Sequence, residues 1–162
     1  FFINLSIIAK TIIMKYSFIQ LFLILLLGSC GAGRQTSHPD YGSPAVQQSL
    51  INDFVFQIEQ YSEDATYGYT EDNPIMVGGG VDGPKNERRY LNALAGPGGE
   101  VLRYERLGSC CSFRTKNAVF GNTGLLDMYK ITYPGQEEEI VLYLNMYDSD
   151  TLKVPVGFTL RK

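Results

Sequence analysis

The feature that most constrains this chain is a run of ten residues, 18–27, nine of which are apolar. The run follows Met14 and Lys15, and the chain reaches Cys30 three residues after it ends. A helix that spans a bilayer needs about 20 apolar residues, so this run is too short to cross a membrane. A positively charged start, a short apolar run and small residues before a cleavage point are typical of an export signal. The folded domain must therefore come from the residues that follow.

Leu27-Gly28-Ser29-Cys30 resembles the lipobox of bacterial lipoproteins in order, spacing and position. In that family the cysteine carries acyl chains such as palmitate and becomes the first residue after cleavage. The resemblance implies a lipid anchor on Cys30, and hence a membrane as the first partner of the protein. Positions 31–33 hold no acidic residue, which in this family favours the outer membrane. We expect the domain to face the periplasm.

The same interpretation divides the chain into four parts. We expect an upstream extension over residues 1–13, a signal peptide over 14–29, a flexible tether over 30–44 and a single globular domain over 45–162. The tether is rich in glycine, serine, proline and polar residues, a composition that favours flexibility. The alternative is one transmembrane helix over residues 1–27, which would bury two lysines in the bilayer at considerable cost.

Composition excludes several classes of function. The chain has 14 Lys and Arg against 17 Asp and Glu, a formal net charge of −3, so we expect no nucleic-acid partner. A length of 162 residues is too short for a (β/α)8 barrel, which needs roughly 250. The one histidine, His38, lies in the predicted tether. We therefore expect neither a histidine-based catalytic triad nor a metal site, and we predict no cofactor.

Alternating apolar residues predict that strands make up most of the domain. Strands are expected over residues 73–77, 100–107, 125–133, 138–147 and 154–160. Pro134 and Gly135 predict a hairpin between the third and fourth of these strands. Apolar residues on both faces of the fourth predict an inner strand, and Pro155 favours an edge position for the last.

Two segments show the residue spacing of a helix. Residues 84–94 combine good helix formers with Pro84 at the start and Gly96-Pro97 beyond the end. Residues 45–61 repeat apolar residues at helical spacing but alternate around Phe54, so we expect a helix that passes into a strand. The order of elements predicts an α+β fold, a small and mostly antiparallel sheet with one or two short helices.

With Cys30 assigned to the anchor, the adjacent pair Cys110 and Cys111 remains. Neighbouring Cα atoms lie about 3.8 Å apart, whereas most disulfides join Cα atoms roughly 4.4–6.8 Å apart. Three interpretations stay open: two reduced and buried thiols, a vicinal disulfide that stiffens a turn, or a redox, metal or ligand site. The domain lacks a Cys-X-X-Cys motif and a histidine, and this favours a structural pair.

Three arginines are candidates for a binding or structural site together with this cysteine pair: Arg88, Arg89 and Arg103. The first two lie on the predicted helix, in Asn86-Glu87-Arg88-Arg89. The simplest interpretation of that segment is a solvated polar face. The alternative is that one arginine pairs with a carboxylate ligand or a buried acid. A pocket that joins the cysteines to these arginines would favour an enzyme.

Several stretches of the domain carry a resemblance. They are Tyr67-Gly68-Tyr69-Thr70, Gly83-Pro84-Lys85-Asn86-Glu87-Arg88-Arg89, Gly108-Ser109-Cys110-Cys111 and Leu144-Asn145-Met146-Tyr147-Asp148. These stretches look like a family of small lipoproteins from Bacteroidetes, over roughly residues 67–160. Some members of that family carry the name 2-dehydro-3-deoxyphosphooctonate aldolase, which implies an enzyme acting on a sugar phosphate.

We therefore expect a membrane-anchored envelope lipoprotein with a non-catalytic binding or structural domain. Its partner would be an envelope protein or a small-molecule ligand. The alternatives are an enzyme that acts on a sugar phosphate, as the resemblance implies, and a redox protein that depends on cysteine. The residues favour the non-catalytic interpretation because they contain no recognisable catalytic set.

Overall fold

The structure is a computed structural model that describes residues 46–79 and 82–162. The predicted upstream extension, signal peptide and tether, including Cys30 and His38, lie outside the described residues. No helix within the two described ranges has the length and apolar character needed to cross a membrane.

Ten strands and one helix make up the described part of the chain. In chain order they are β1 Leu50–Asn52, β2 Val55–Phe56, β3 Gln60–Tyr61, β4 Ile75–Met76, α1 Gly83–Ala93, β5 Leu94–Ala95, β6 Arg103–Arg114, β7 Thr123–Thr132, β8 Ile140–Asn145, β9 Lys153–Val154 and β10 Thr159–Leu160. The predicted mixed α+β class is thereby confirmed.

The largest sheet has four strands in the order β4-β8-β7-β6. Strand β7 pairs antiparallel with both β6 and β8, whereas β4 runs parallel to β8. The hairpin predicted at Pro134 and Gly135 is confirmed as the β7–β8 connection, and β8 is an inner strand as predicted. Three further pairs complete the strands: β1 with β2 and β5 with β10 are antiparallel, and β3 with β9 is parallel. The sheets are therefore not all antiparallel.

The helix expected at the start of residues 45–61 is wrong over the described residues. Short strands β1, β2 and β3 occupy this segment instead. The side-chain Oδ1 of Asn52 accepts a hydrogen bond from the backbone N–H of Phe54 at 2.9 Å, which stabilises a turn between β1 and β2. Phe56 and Ile58 are then buried as alternate residues of an extended chain, so the period of two prevails over the helical spacing.

Two predicted strands have different boundaries. The strand expected over 154–160 is divided into β9 and β10, because the N–H of Phe158 donates to the carbonyl of Pro155 at 3.1 Å and closes a turn. The strand expected over 100–107 begins at Arg103 and continues through both cysteines to the end of β6.

The helix predicted over 84–94 is confirmed as α1, with its proline in the first turn. Its inward face contributes Tyr90 and Leu91, both fully buried, to a core that includes Ile75 and Leu144 from the sheet. The hydroxyl of Tyr90 donates to the carbonyl of Lys153 at 2.7 Å, so its polar atom is satisfied in the core. The same face of α1 also carries a carboxylic acid, which begins the site described next.

Candidate functional site

Five polar side chains from α1, β6 and β7 form two neighbouring hydrogen-bonded groups, and we call them together the acid cluster: Glu87 with Tyr129, and Arg106 and Ser109 with Asp127. Glu87 lies one helical turn before Tyr90 and shares its buried face, while Asp127 and Tyr129 share one face of β7 by strand alternation. Glu87 is fully buried and Asp127 is 3% exposed. The acid cluster therefore places two carboxyl groups in the interior.

Asp127 accepts most of the hydrogen bonds in the acid cluster. Arg106 donates to both of its oxygens, from Nε at 2.6 Å and from Nη2 at 2.8 Å. The hydroxyl of Ser109 donates to Asp127 at 2.7 Å and accepts from Arg106 at 2.6 Å. Bidentate, charge-assisted pairing of this kind is strong, and the hydrogen bond to Asp127 raises the pKa of Arg106.

A bulge in β6 makes this arrangement possible. Arg106 and Ser109 are three residues apart, so in a regular strand their side chains would point to opposite faces. The register with β7 shifts between Arg106 and Gly108, and Gly108 has a φ of +144°, which favours glycine. The extra residue brings both side chains to the same carboxylate.

Glu87 is the unusual member of the acid cluster. The hydroxyl of Tyr129 donates to its Oε2 at 2.9 Å, while the buried Oε1 has no hydrogen-bond partner within the described part of the chain. Burial, followed by repulsion from Asp127, raises the pKa of Glu87 to about 8. This raised pKa favours the protonated form of Glu87 at neutral pH. The charges of Asp127 and Arg106 then balance each other. Such an arrangement suits a structural link between α1 and the sheet.

The burial of Glu87 contradicts the interpretation of Asn86-Glu87-Arg88-Arg89 as a wholly solvated face. Sequence reasoning also missed Asp127. The signal for Glu87 was present, because it stands three and four residues before Tyr90 and Leu91 on the apolar side of the helix. Across residues 46–79 and 82–162, no three His, Cys, Asp or Glu side chains are arranged to hold a metal ion.

A second polar region lies on the outer side of α1, and we call it the basic groove. It is a cavity of about 310 Å³ lined by Asp53, Phe54, Lys85, Arg88, Arg89 and Asn92. Its four helical members are spaced by three, one and three residues, so they share one face of the helix. Phe54, at the turn between β1 and β2, is 70% exposed beside these cations.

The three cations of the basic groove differ in their contacts. Arg89 donates from Nε to the carbonyl of Asp53 at 3.0 Å and from Nη1 to Asn86 at 2.8 Å. Its guanidinium also lies 6.0 Å from the ring centre of Phe56. Arg89 therefore forms part of the wall of the basic groove. Lys85 and Arg88 are exposed, and neither forms an ion pair with another described residue.

The structure places the predicted candidate residues in three different regions. Arg88 and Arg89 line the basic groove, whereas Arg103 lines a separate cavity of about 430 Å³ with Tyr133. Neither cavity is lined by Cys110 or Cys111. Neither of these two cavities is therefore the pocket, joining the cysteines to the arginines, that would favour an enzyme.

Cys110 and Cys111 are joined in a vicinal disulfide, one of the three interpretations that the sequence left open. Both residues are half-buried, and they lie where β6 has a second register shift, between Cys110 and Ser112. Cys111 has a φ of +54°, the one positive value of a non-glycine residue among those described. The disulfide thus accompanies an unfavourable backbone conformation in an edge strand.

Reduction of this disulfide is expected to lower stability modestly, by about 1 kcal/mol, because a bond between neighbours closes a very short loop. A reductant should therefore lower the melting temperature of the wild-type protein. The double variant Cys110→Ser, Cys111→Ser should melt at the lower temperature with or without reductant. Thermal melting followed by circular dichroism measures both effects. Equal melting of all four samples would contradict a structural role for the bond.

No family model, curated protein or solved structure matches this chain. The likeness to small lipoproteins of Bacteroidetes therefore stays a prediction. Function has to be inferred from the residues of the two polar regions and from the sequence that precedes them.

Proposed function

We propose that the chain is a membrane-anchored envelope lipoprotein whose domain binds a small anionic ligand in the basic groove, without catalysis. The proposal rests on one observation: two exposed cations, Lys85 and Arg88, lie on one face of α1 beside the exposed ring of Phe54. The anchor rests on Leu27-Gly28-Ser29-Cys30, which lies outside the described residues.

The spacing of the two cations suits a phosphate or a carboxylate. Residues three apart on a helix are neighbours, so the ammonium of Lys85 and the planar guanidinium of Arg88 can contact the same anion. Arginine binds such groups bidentately, and lysine adds a compact positive charge. A ligand with an apolar ring or sugar face could also stack on Phe54.

The rim of the groove is held in place before any ligand arrives. Asn92 donates from Nδ2 to the carbonyl of Phe54 at 3.0 Å and accepts from the hydroxyl of Tyr104 at 3.0 Å. Arg89 holds the preceding carbonyl, that of Asp53. These contacts fix the β1–β2 turn against α1, and a rigid rim reduces the entropy lost on binding.

Size favours a small ligand over a protein segment. The cavity of about 310 Å³ lies at the lower end of the roughly 300–1,000 Å³ that small-molecule sites occupy.

The acid cluster favours binding over acid–base catalysis. Glu87 is fully buried, and Arg106 and Ser109 occupy both oxygens of Asp127.

The ligand proposal is tested by calorimetric titration of the full chain with inorganic phosphate and with a hexose phosphate. The double variant Lys85→Glu, Arg88→Glu should weaken binding at least about ten-fold, because two attractive charges become repulsive. The matched control Arg161→Glu, Lys162→Glu reverses two exposed cations outside the groove and should bind as the wild type does. Equal loss in both variants would contradict a specific site. Turnover of the hexose phosphate would favour the enzyme alternative.

The anchor proposal is tested by metabolic labelling with a fatty acid in a bacterium that processes lipoproteins. Wild-type protein should carry the label, and Cys30→Ala should lose it and remain uncleaved. The matched control Cys110→Ser removes another cysteine and should keep the label. Labelling of the Cys30→Ala variant at the wild-type level would show that the lipid is not on this residue.

A further inference from the structure

The turn that connects β6 to β7 carries two adjacent, exposed apolar side chains. We call residues 116–121 the hairpin tip. Phe120 is 88% exposed and Val119 is 67% exposed. Single exposed apolar residues are common on protein surfaces, but two adjacent ones at the end of a hairpin form a small patch in contact with water.

The hairpin tip stands on a rigid base. The N–H of Thr115 donates to the carbonyl of Asn122 at 3.0 Å and closes the hairpin. The hydroxyl of Thr115 and the amide of Asn117 donate to the buried carboxylate of Asp148, at 2.7 Å and 2.8 Å. The apolar pair therefore extends from a fixed platform, so ordering it at a surface costs little conformational entropy.

Apart from the buried carboxylate of Asp148 at its base, the charged side chains at this end of the hairpin are basic. Residues 106–126 contain no acidic residue, although the chain as a whole has a net charge of −3. Arg106 is neutralised by Asp127. Arg114 and Lys116 precede the apolar pair on the β6 side of the hairpin, are exposed, and make no ion pair with other residues that the structure describes.

We propose that the hairpin tip inserts Val119 and Phe120 into the interface of a membrane that contains anionic lipids. Arg114 and Lys116 would then lie at the level of the lipid headgroups, because apolar side chains rimmed by cations bind such surfaces. The proposal rests on the membrane anchor proposed above. The predicted tether of residues 30–44 spans at most about 50 Å, so it keeps the domain within reach of the bilayer.

Charge also distinguishes a membrane from a second copy of the chain. Two hairpin tips brought together would place Arg114 and Lys116 of each copy against those of the other, and like charges in contact oppose association. An anionic lipid surface supplies both an apolar layer for the two side chains and negative charge for the two cations.

The test uses the absence of tryptophan from this chain. Phe120→Trp in the full chain creates a single reporter at the hairpin tip. It is mixed with vesicles of phosphatidylethanolamine and phosphatidylglycerol whose acyl chains carry bromine, a quencher that acts at short range. The reporter should be quenched by about two-fold or more. The matched reporter Tyr61→Trp, at another exposed aromatic position, should keep its fluorescence.

Adding Arg114→Glu, Lys116→Glu to the Phe120→Trp chain should abolish the quenching, whereas adding Arg161→Glu, Lys162→Glu should leave it unchanged. Acyl labelling is measured on the same samples. Labelled protein without quenching overturns the tip proposal and leaves the anchor standing. Quenching without label supports the tip and overturns the anchor. An emission shift that depends on protein concentration without vesicles would assign the tip to a second copy and overturn the membrane proposal.

Discussion

As the pH rises from about 5 to about 8, the free energy of unfolding is expected to fall by roughly 3 kcal/mol because of Glu87. In the unfolded chain this carboxyl loses its proton near the ordinary pKa of 4.5, whereas in the folded protein burial and Asp127 raise the pKa to about 8. Between these values the folded state binds more protons than the unfolded state. Stability must therefore decrease as the pH increases, and the full penalty is present above about pH 8.

The groups around Glu87 act in opposite directions on its pKa. Burial raises it most, and the charge of Asp127 raises it further. The hydrogen bond from Tyr129 and the positive charge of Arg106 lower it. Burial and the charge of Asp127 prevail because Arg106 is already paired with Asp127 and extends to the surface.

Glu87→Gln should remove this pH dependence. The amide has nearly the same shape and can accept the hydrogen bond from Tyr129 through its oxygen. It cannot ionise, so at about pH 8 the variant should be roughly 3 kcal/mol more stable than the wild type. Urea unfolding at several pH values measures the slope.

Glu139→Gln is the matched control, since Glu139 is an exposed carboxyl that pairs with Lys130 at the surface. This variant should keep the wild-type slope. Identical pH dependence in wild type and Glu87→Gln would show that Glu87 does not hold a proton in the folded state at neutral pH.

Elements with local signals could be predicted from the sequence. Helix α1 has a proline in its first turn and good helix formers after it, and the β7–β8 hairpin contains Gly135 with a φ of +83°. The parallel pairings of β4 with β8 and of β3 with β9 could not be predicted in this way. Alternation reports which face of a strand is buried, but not which strand lies beside it.

The acid cluster depends on non-local contacts, so only part of it could be predicted. Glu87 sits at helical spacing from Tyr90 and Leu91, and its burial follows from that position. Its neighbour Asp127 is 40 residues away, and Arg106 reaches Asp127 only because Gly108 allows a bulge. No local pattern reports where a bulge will change the face of a side chain.

Two residues that line the basic groove, Arg88 and Arg89, were candidate site residues in the sequence, but the groove itself was not predicted. Spacing on the helix predicts that Lys85 and Asn92 share their face. Phe54 instead comes from the β1–β2 turn, in a segment that was expected to be a helix passing into a strand. That turn depends on the Asn52 side chain and on hydrogen bonds from Arg89 and Asn92 across the interface. A tertiary contact thus outweighed the local periodicity.

The other large expected effect concerns Asp148, a carboxylate that is buried beyond the end of β8. Its Oδ1 accepts from Thr115 and Asn117, and its Oδ2 accepts from Asn145 at 3.0 Å. Asn145 in turn accepts the N–H groups of Tyr147 and Asp148. These bonds join the end of β6 to the loop after β8, so one side chain holds two distant segments together.

Asp148→Ala should lower the free energy of unfolding by about 3 kcal/mol or more, because it leaves buried donors from Thr115 and Asn145 without an acceptor. Asp150→Ala removes an exposed carboxyl two residues further on and should change stability by less than about 0.5 kcal/mol. Urea unfolding of the three proteins, with backbone hydrogen exchange at residues 115–122, separates global from local effects. The exchange should accelerate in Asp148→Ala alone. Equal stability of the two variants would mean that Asp148 does not hold the base of the hairpin.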